Sequence, residues 1–421
     1  MDHTLSKELL SFLDASPSCF HAVKNLSSLL IEAGFTPLAE NQRWQITPGG
    51  KYFVTRNGSA LAAFTVPSQG IKSWRIAASH GDSPCLKVKE NPEIISENHY
   101  VQLNVERYGG MITGSWLDRP LALAGRVVVK ENGRLVNKLV NIDRDLLLIP
   151  NVAPHIDRDV NKREYNMQKD MLPIYGDLSA KGTFMRTIAQ AAGVEEDAIL
   201  GHDLYLYVHQ KGAIWGPSGE YISSGRLDDL HCAFASIKGF LAGKKQEHAA
   251  VYCLFDNEEV GSQTRQGAAS TFLKDTMDRI CEGLSMSRED CLIALADSFM
   301  ISGDNAHAVH PAHLEKADPV NRPFINEGIV IKYTAEQTYC SDGLSGAMFK
   351  DLCRQAGVPY QIFTNRSDKR GGSTLGNISN TQVAVSTVDI GLPQLAMHAP
   401  YEMAGTKDTA YLAKAAEVFF K

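Results

Sequence analysis

The stretch Trp74-Arg75-Ile76-Ala77-Ala78-Ser79-His80-Gly81-Asp82-Ser83-Pro84 is a short apolar run that ends on a histidine, with an aspartate two residues further on. A run of this length and composition reads as a buried strand, Trp74–Ser79, with His80 at its carboxyl end. Open α/β sheets gather their ligands outside the carboxyl ends of the strands. The same texture recurs after Gly225. Ala249–Phe255, Cys291–Ala296, Tyr360–Thr364 and Val383–Val388 read as strands, and Asp229–Leu241, Ser345–Ala356 and Lys407–Phe420 read as helices. Apolar strands alternating with helices predict an α/β fold, a mostly parallel central sheet flanked by helices.

Upstream, Ala22, Val23, Leu26, Leu29, Leu30 and Ala33 recur at helical spacing, with Ser18 placed to cap the helix and Gly34 to end it. Lys51–Arg56 and Ser59–Val66 flank Asn57-Gly58, a strong hairpin signal. From Lys87 to Gly225 the pattern changes to strands, among them Gln102–Glu106, Arg126–Lys130, Leu135–Val140 and Leu204–Val208, with few helices between them. The polar stretch Asn151–Gly176 is long enough to be a loop with a role of its own. We read residues 1–86 and 226–421 as one discontinuous α/β domain, split by a β-rich insert at 87–225.

The chain has 421 residues, 42 Lys and Arg against 48 Asp and Glu, and a formal charge of −6. This mild acidity offers no general attraction to nucleic acid or to an anionic membrane. Ordinary proportions of hydrophobic (44%) and charged (21%) residues exclude wholesale disorder. Eight scattered cysteines without a CxxC pair argue against a disulfide framework and against a thiolate zinc site. Met1-Asp2-His3-Thr4 lacks the pattern of a signal peptide, and no apolar run approaches 18 residues, so a cytoplasmic location is expected.

Five groups of potential metal donors fall beyond strand ends: His80 and Asp82; Asp228-Asp229; Asp256, Glu258 and Glu259; Asp297, Asp304, His307, His310 and His313; and His398. Each has a bland reading on its own. A lone histidine is usually a surface residue, Glu258-Glu259 a solvated pair, and Asp228-Asp229 a helix cap. His307–His313 reads as a surface patch or as a separate one-ion site. The shared placement at one edge of one sheet favours a cation, because clustered carboxylates repel unless something positive holds them.

The blocks Ser79-His80-Gly81-Asp82-Ser83-Pro84, Gly225-Arg226-Leu227-Asp228-Asp229-Leu230, Phe255-Asp256-Asn257-Glu258-Glu259-Val260-Gly261-Ser262, Asp304-Asn305-Ala306-His307-Ala308-Val309-His310-Pro311 and Gln394-Leu395-Ala396-Met397-His398 resemble, in order, the signature blocks of the aspartyl aminopeptidase family. These are cocatalytic zinc metallopeptidases. The resemblance implies a zinc-peptidase-like catalytic domain with an inserted dimerisation domain. It implies two divalent ions per subunit, zinc or else cobalt or manganese, held by His80, Asp228, Glu259, Asp304 and His398. Asp228 would bridge, His80 and Asp304 would complete one site, and Glu259 and His398 the other. Glu258 would be the general base, and Asp82 would orient His80, since residues two apart in extended chain face the same side. A cis peptide after Asp228 is also implied.

Near the substrate the resemblance places His307, His310, Lys332 and Tyr339, with Lys332 as a reader of an acidic side chain. Arg370-Gly371-Gly372-Ser373-Thr374-Leu375-Gly376 lacks the phosphate-loop pattern and is expected on the floor of the site. His155, on the long loop, would reach a neighbouring subunit's site within a homo-oligomer, the family's twelve-subunit tetrahedral shell. The expected activity is removal of an acidic residue from a peptide with a free amino terminus. The competing readings are a metallo-aminopeptidase of neutral or basic specificity, a non-catalytic assembly protein that kept the fold, and a histidine-rich metal buffer.

Overall fold

A computed structural model describes residues 3–162, 164–243 and 247–421; Met1 and Asp2, which belong to the leader reading above, lie outside the described residues. Its main sheet has nine strands, in the spatial order Thr36–Leu38, Lys51–Arg56, Ala60–Thr65, Ala249–Phe255, Trp74–His80, Phe299–Gly303, Ser386–Gly391, Ile329–Tyr333, Tyr360–Thr364. The four central strands, from Ala249–Phe255 to Ser386–Gly391, run parallel. Antiparallel pairings lie on either side of them, including the expected hairpin at Asn57-Gly58.

Both faces of this sheet are covered. Ala77, Ala250, Tyr252 and Leu254 pack with the helices Thr4–Ala15, Cys19–Glu32, Leu227–Ala242, Gly343–Ala356 and Asp408–Phe419. Their neighbours along the strands, Ile76, Ala78, Val251 and Cys253, face the helices Phe272–Gly283, Arg288–Ala296 and Leu375–Ser379. Side chains of a strand alternate between faces, so apolar runs without polar interruption are what a doubly covered sheet requires. Among the described residues, no helix is long and apolar enough to cross a membrane.

The strands between Cys85 and Val208 form a separate antiparallel sheet of six, ordered Arg134–Leu147, Leu121–Glu131, Ile199–Val208, Cys85–Ser96, Tyr100–Tyr108, Ile174–Asp177. It has its own apolar cluster, with Leu103, Leu123, Leu204 and helix residues Phe184 and Ile188 at its centre. A third sheet of five short strands includes Ala306–His307, Pro393–Leu395 and Glu402–Gly405. It bounds one side of the site described below.

Several sequence expectations change. Cys291–Ala296 is not a strand but the end of the helix Arg288–Ala296, started by a capping box between Ser287 and Asp290. The strand follows it at Phe299–Gly303, which places Asp304 directly at a strand end. A short apolar run fits a buried helix as well as a strand, and the capping residues decide between them. The last central strand is Ser386–Gly391, shifted from the expected Val383–Val388. The first forty residues, which read as helix, divide into Thr4–Ala15 and Cys19–Glu32, broken around Pro17, and end in the short strand Thr36–Leu38.

Candidate metal centre

One or two members of each of the five groups converge at the carboxyl edge of the parallel strands: His80, Asp228, Glu258 and Glu259, Asp304, and His398. His80 is the last residue of its strand and lies in register with Phe255. Glu258 and Glu259 open a short 3-10 turn after that neighbouring strand, reached through Asn257 in the left-handed conformation (φ 61°). Asp304 follows Phe299–Gly303, its N–H donating to the Ile390 carbonyl at 3.0 Å. Asp228 stands at the distorted start of the helix Leu227–Ala242, and the Asp228–Asp229 peptide is cis. His398 follows Pro393–Leu395 with a φ of 67°.

The two oxygens of Asp228 face two different donor sets. Oδ1 lies 3.4 Å from His80 Nε2, which is 4.0 Å from Asp304 Oδ1. Oδ2 lies 3.4 Å from His398 Nε2, which is 3.4 Å from Glu259 Oε2. Both triads, His80–Asp228–Asp304 and Asp228–Glu259–His398, have donor atoms within 4.8 Å of one another. Glu258 stands between them, within the same distance of His80 and Glu259.

This charge distribution calls for a cation. Burial, reinforced by Asp304 and Asp82 against the attraction of His80, pushes Glu258 up to about 8. Burial and then Asp228 hold Glu259 well above the carboxylate range. Asp304 is raised by burial and by Asp228 in spite of Lys332 and His80. Asp228 moves down: burial would raise it, but His398 and His80 override burial. Asp228 Oδ1 and Glu259 Oε1 are buried without a hydrogen-bond partner. Imidazole and carboxylate donors with unsatisfied buried oxygens fit zinc or a similar divalent ion.

Surrounding groups fix the donors. Asp82 Oδ1 accepts the N–H of Glu258 at 3.1 Å and lies 3.4 Å from His80 Nδ1. Its Oδ2 accepts the N–H of Glu259 at 3.2 Å and the hydroxyl of Tyr108 at 2.7 Å. Glu402 accepts the N–H of Asp228 at 3.0 Å on one oxygen and that of His398 at 2.9 Å on the other. His398 Nδ1 lies 2.6 Å from the Gly110 carbonyl oxygen. Sequence reasoning missed Tyr108, Gly110 and Glu402. Only Glu402 left a signal, an acid four residues after His398.

The donors open into a cleft of about 570 Å³, also lined by His307, Lys332, Tyr339, Phe363, Gly372, Ser373 and Thr374. Lys332 Nζ donates to the Asn305 carbonyl at 2.8 Å, lies 3.8 Å from Asp304 Oδ1 and sits 5.5 Å from the centre of the Tyr339 ring. Of the expected substrate-side residues, His310 does not line the cleft, and His155, expected at a neighbouring subunit's site, lies away from it. His310 is exposed and packs on His313, ring centres 5.0 Å apart. His155 is exposed on the long loop.

Comparison with known proteins gives a consistent picture. A family profile described as aminopeptidase I zinc metalloprotease (M18) matches residues 12–420. The probable M18 family aminopeptidase 2 of Clostridium acetobutylicum is 49% identical over 424 residues, covering 99% of this chain and 98% of the relative. Among solved structures, one from a complex of Ape4 and Nbr1 superposes with a TM-score of 0.95 at 35% identity, covering 99% of this chain and 85% of that chain. The S. cerevisiae mApe1 dodecamer gives a TM-score of 0.87 at 26% identity, covering 99% of this chain and 96% of that chain.

Proposed function

The chain belongs to the M18 family of zinc aminopeptidases, and on that premise we propose that it releases an acidic amino-terminal residue from peptides, with two divalent ions per subunit and Glu258 as general base. The observation that carries the two-ion reading is the division of Asp228 between two donor sets. His80, Asp228 and Asp304 would hold one ion, and Asp228, Glu259 and His398 the other. Bound ions of this kind supply Lewis acidity, which acidifies a water and polarises a peptide carbonyl.

The chain's own groups do the rest. Glu258 takes the proton of the attacking water and passes it to the leaving amine. Asp82 sets its geometry by holding the N–H groups of Glu258 and Glu259 while facing the His80 ring. One end of the donor array accepts the substrate's free amino group, which restricts cleavage to the first peptide bond.

Among the described residues lining the cleft, Lys332 brings the sole Lys or Arg cation, which supports an acidic first residue. His307 and Tyr339 line the same cleft beside it. The engagement of Lys332 with Asp304 and the Asn305 carbonyl favours a second reading, a neutral first residue. Zinc-reconstituted protein assayed on aspartyl, glutamyl, leucyl and lysyl substrates, with and without chelator, separates the two. The acidic substrates are expected to turn over at least ~10-fold faster. Equal leucyl rates would transfer the pocket to the second reading, and chelator-resistant turnover would remove the metal from the account.

The reading extends to assembly. Residues 87–225 would form the oligomerisation domain of a tetrahedral dodecamer in the cytoplasm, with His155 placed toward substrate across a subunit boundary. Its support is the mApe1 dodecamer and the loop itself, where Ile156, next to His155, is 82% exposed. A fully active monomer in sedimentation would contradict it.

A further inference from the structure

The strand Tyr100–Tyr108 of the inserted sheet ends beside the metal centre and continues through Gly109, Gly110 and Met111. This segment touches the outer side of both donor sets. Tyr108 donates its hydroxyl to Asp82 Oδ2, the carboxylate that also meets the His80 ring and the N–H groups of Glu258 and Glu259. The hydroxyl oxygen of Tyr108 accepts from Asn257 Nδ2 at 2.8 Å. Asn257 Oδ1 in turn accepts from Thr264 and Gln266, each at 2.8 Å, so the tyrosine hydroxyl is fixed at both ends.

Two residues on, the Gly110 carbonyl faces His398 Nδ1 at 2.6 Å and the Ile112 N–H donates to the His398 carbonyl at 3.0 Å. That contact keeps the proton on Nδ1 and leaves Nε2 as the donor facing Asp228 and Glu259. Between them, Gly109 adopts a φ of 75°, and a Cβ there would lie 3.1 Å from Glu259 Cβ. Both the positive φ and this close approach favour glycine at the position.

From this geometry we propose that Tyr108 is a positioning residue of the metal centre, and that the inserted sheet holds both donor sets from within the same chain through Tyr108 and the Gly110 carbonyl. The inference rests on the two-ion reading above. It gives the insert a second role besides assembly: a disturbance of the sheet reaches His80, Glu258 and His398 without touching the substrate.

Tyr108→Phe removes the hydroxyl and little else. Calorimetric zinc titration of the metal-free variant is expected to show affinity ~10–100-fold weaker, the usual cost of removing a partner of a metal ligand. kcat should fall by a similar factor, with KM and the sedimentation coefficient unchanged. Gly109→Ala, which crowds Glu259 from the same segment, is expected to weaken zinc binding as well. A role in folding alone would lower Tm and leave the zinc affinity of the folded protein intact, and that result would overturn the proposal. So would parent-like zinc binding and turnover in Tyr108→Phe. Glu258→Gln run in parallel separates the two levels. If it is inactive while Tyr108→Phe behaves as the parent, only this inference falls; if it is active, the reading of the centre falls first.

Discussion

Of the two donor sets that share Asp228, one is closed in and the other is open: the His80 side chain is 1% exposed and sits at the end of a strand of the main sheet, whereas that of His398 is 31% exposed and follows a three-residue strand of the small sheet. Their supports differ in the same sense. The His80–Asp304 side is braced by Asp82 and by the buried ammonium of Lys332. The Glu259–His398 side depends on the Gly110 carbonyl of the inserted sheet and on Glu402. Two donors of the closed half, His80 and Asp304, follow strands of the central sheet, and the inserted sheet reaches that half only through Asp82, whereas in the open half it meets the donor His398 directly. An ion bound on the open side should be the more readily exchanged.

The largest effect is expected where the halves join. Asp228→Asn should abolish tight zinc binding on both sides and lower turnover by at least ~10³-fold, in line with losing a cocatalytic metal site. Metal analysis that still found one tightly held zinc would show that only one side needs this carboxylate. Next, chelator titration followed by residual metal and activity should proceed in two phases, the His398 side emptying first. A single phase would break the asymmetry.

Glu402→Gln should act on the open side. Glu402 receives the N–H groups of both Asp228 and His398, and an amide nitrogen cannot accept either. Zinc calorimetry should show the binding event of the open side weakened by ~10–100-fold, and the other, which shares Asp228, weakened less. The smallest effect belongs to Lys332→Met on the closed side: kcat/KM for aspartyl substrates should fall ~10-fold relative to leucyl ones. An equal fall for both would assign Lys332 to holding Asp304 instead.

The residues of the candidate centre were legible in the sequence because each sits in a contiguous block next to a strand, and strand ends are where an α/β sheet exposes functional groups. Where periodicity was ambiguous the reading slipped, as at Cys291–Ala296, whose capping box outweighed its apolar run. The five-stranded sheet that carries His307 and Glu402 went unseen, since strands of two to four residues have no period to detect. Tyr108 and Gly110 lay beyond sequence reasoning for a different reason. Their role comes from tertiary contacts with Asp82 and His398, which lie 26 and 288 residues away along the chain. His310 shows the converse: it was named from sequence, and it does not line the cleft.

The central claim is that Glu258 moves the proton while other residues hold the metal. Turnover and zinc content measured on one preparation of Glu258→Gln test it most directly. The expected result is about two zinc ions per chain, as in the parent, with turnover reduced ~10²–10⁴-fold. Near-parent turnover in that variant would contradict the account.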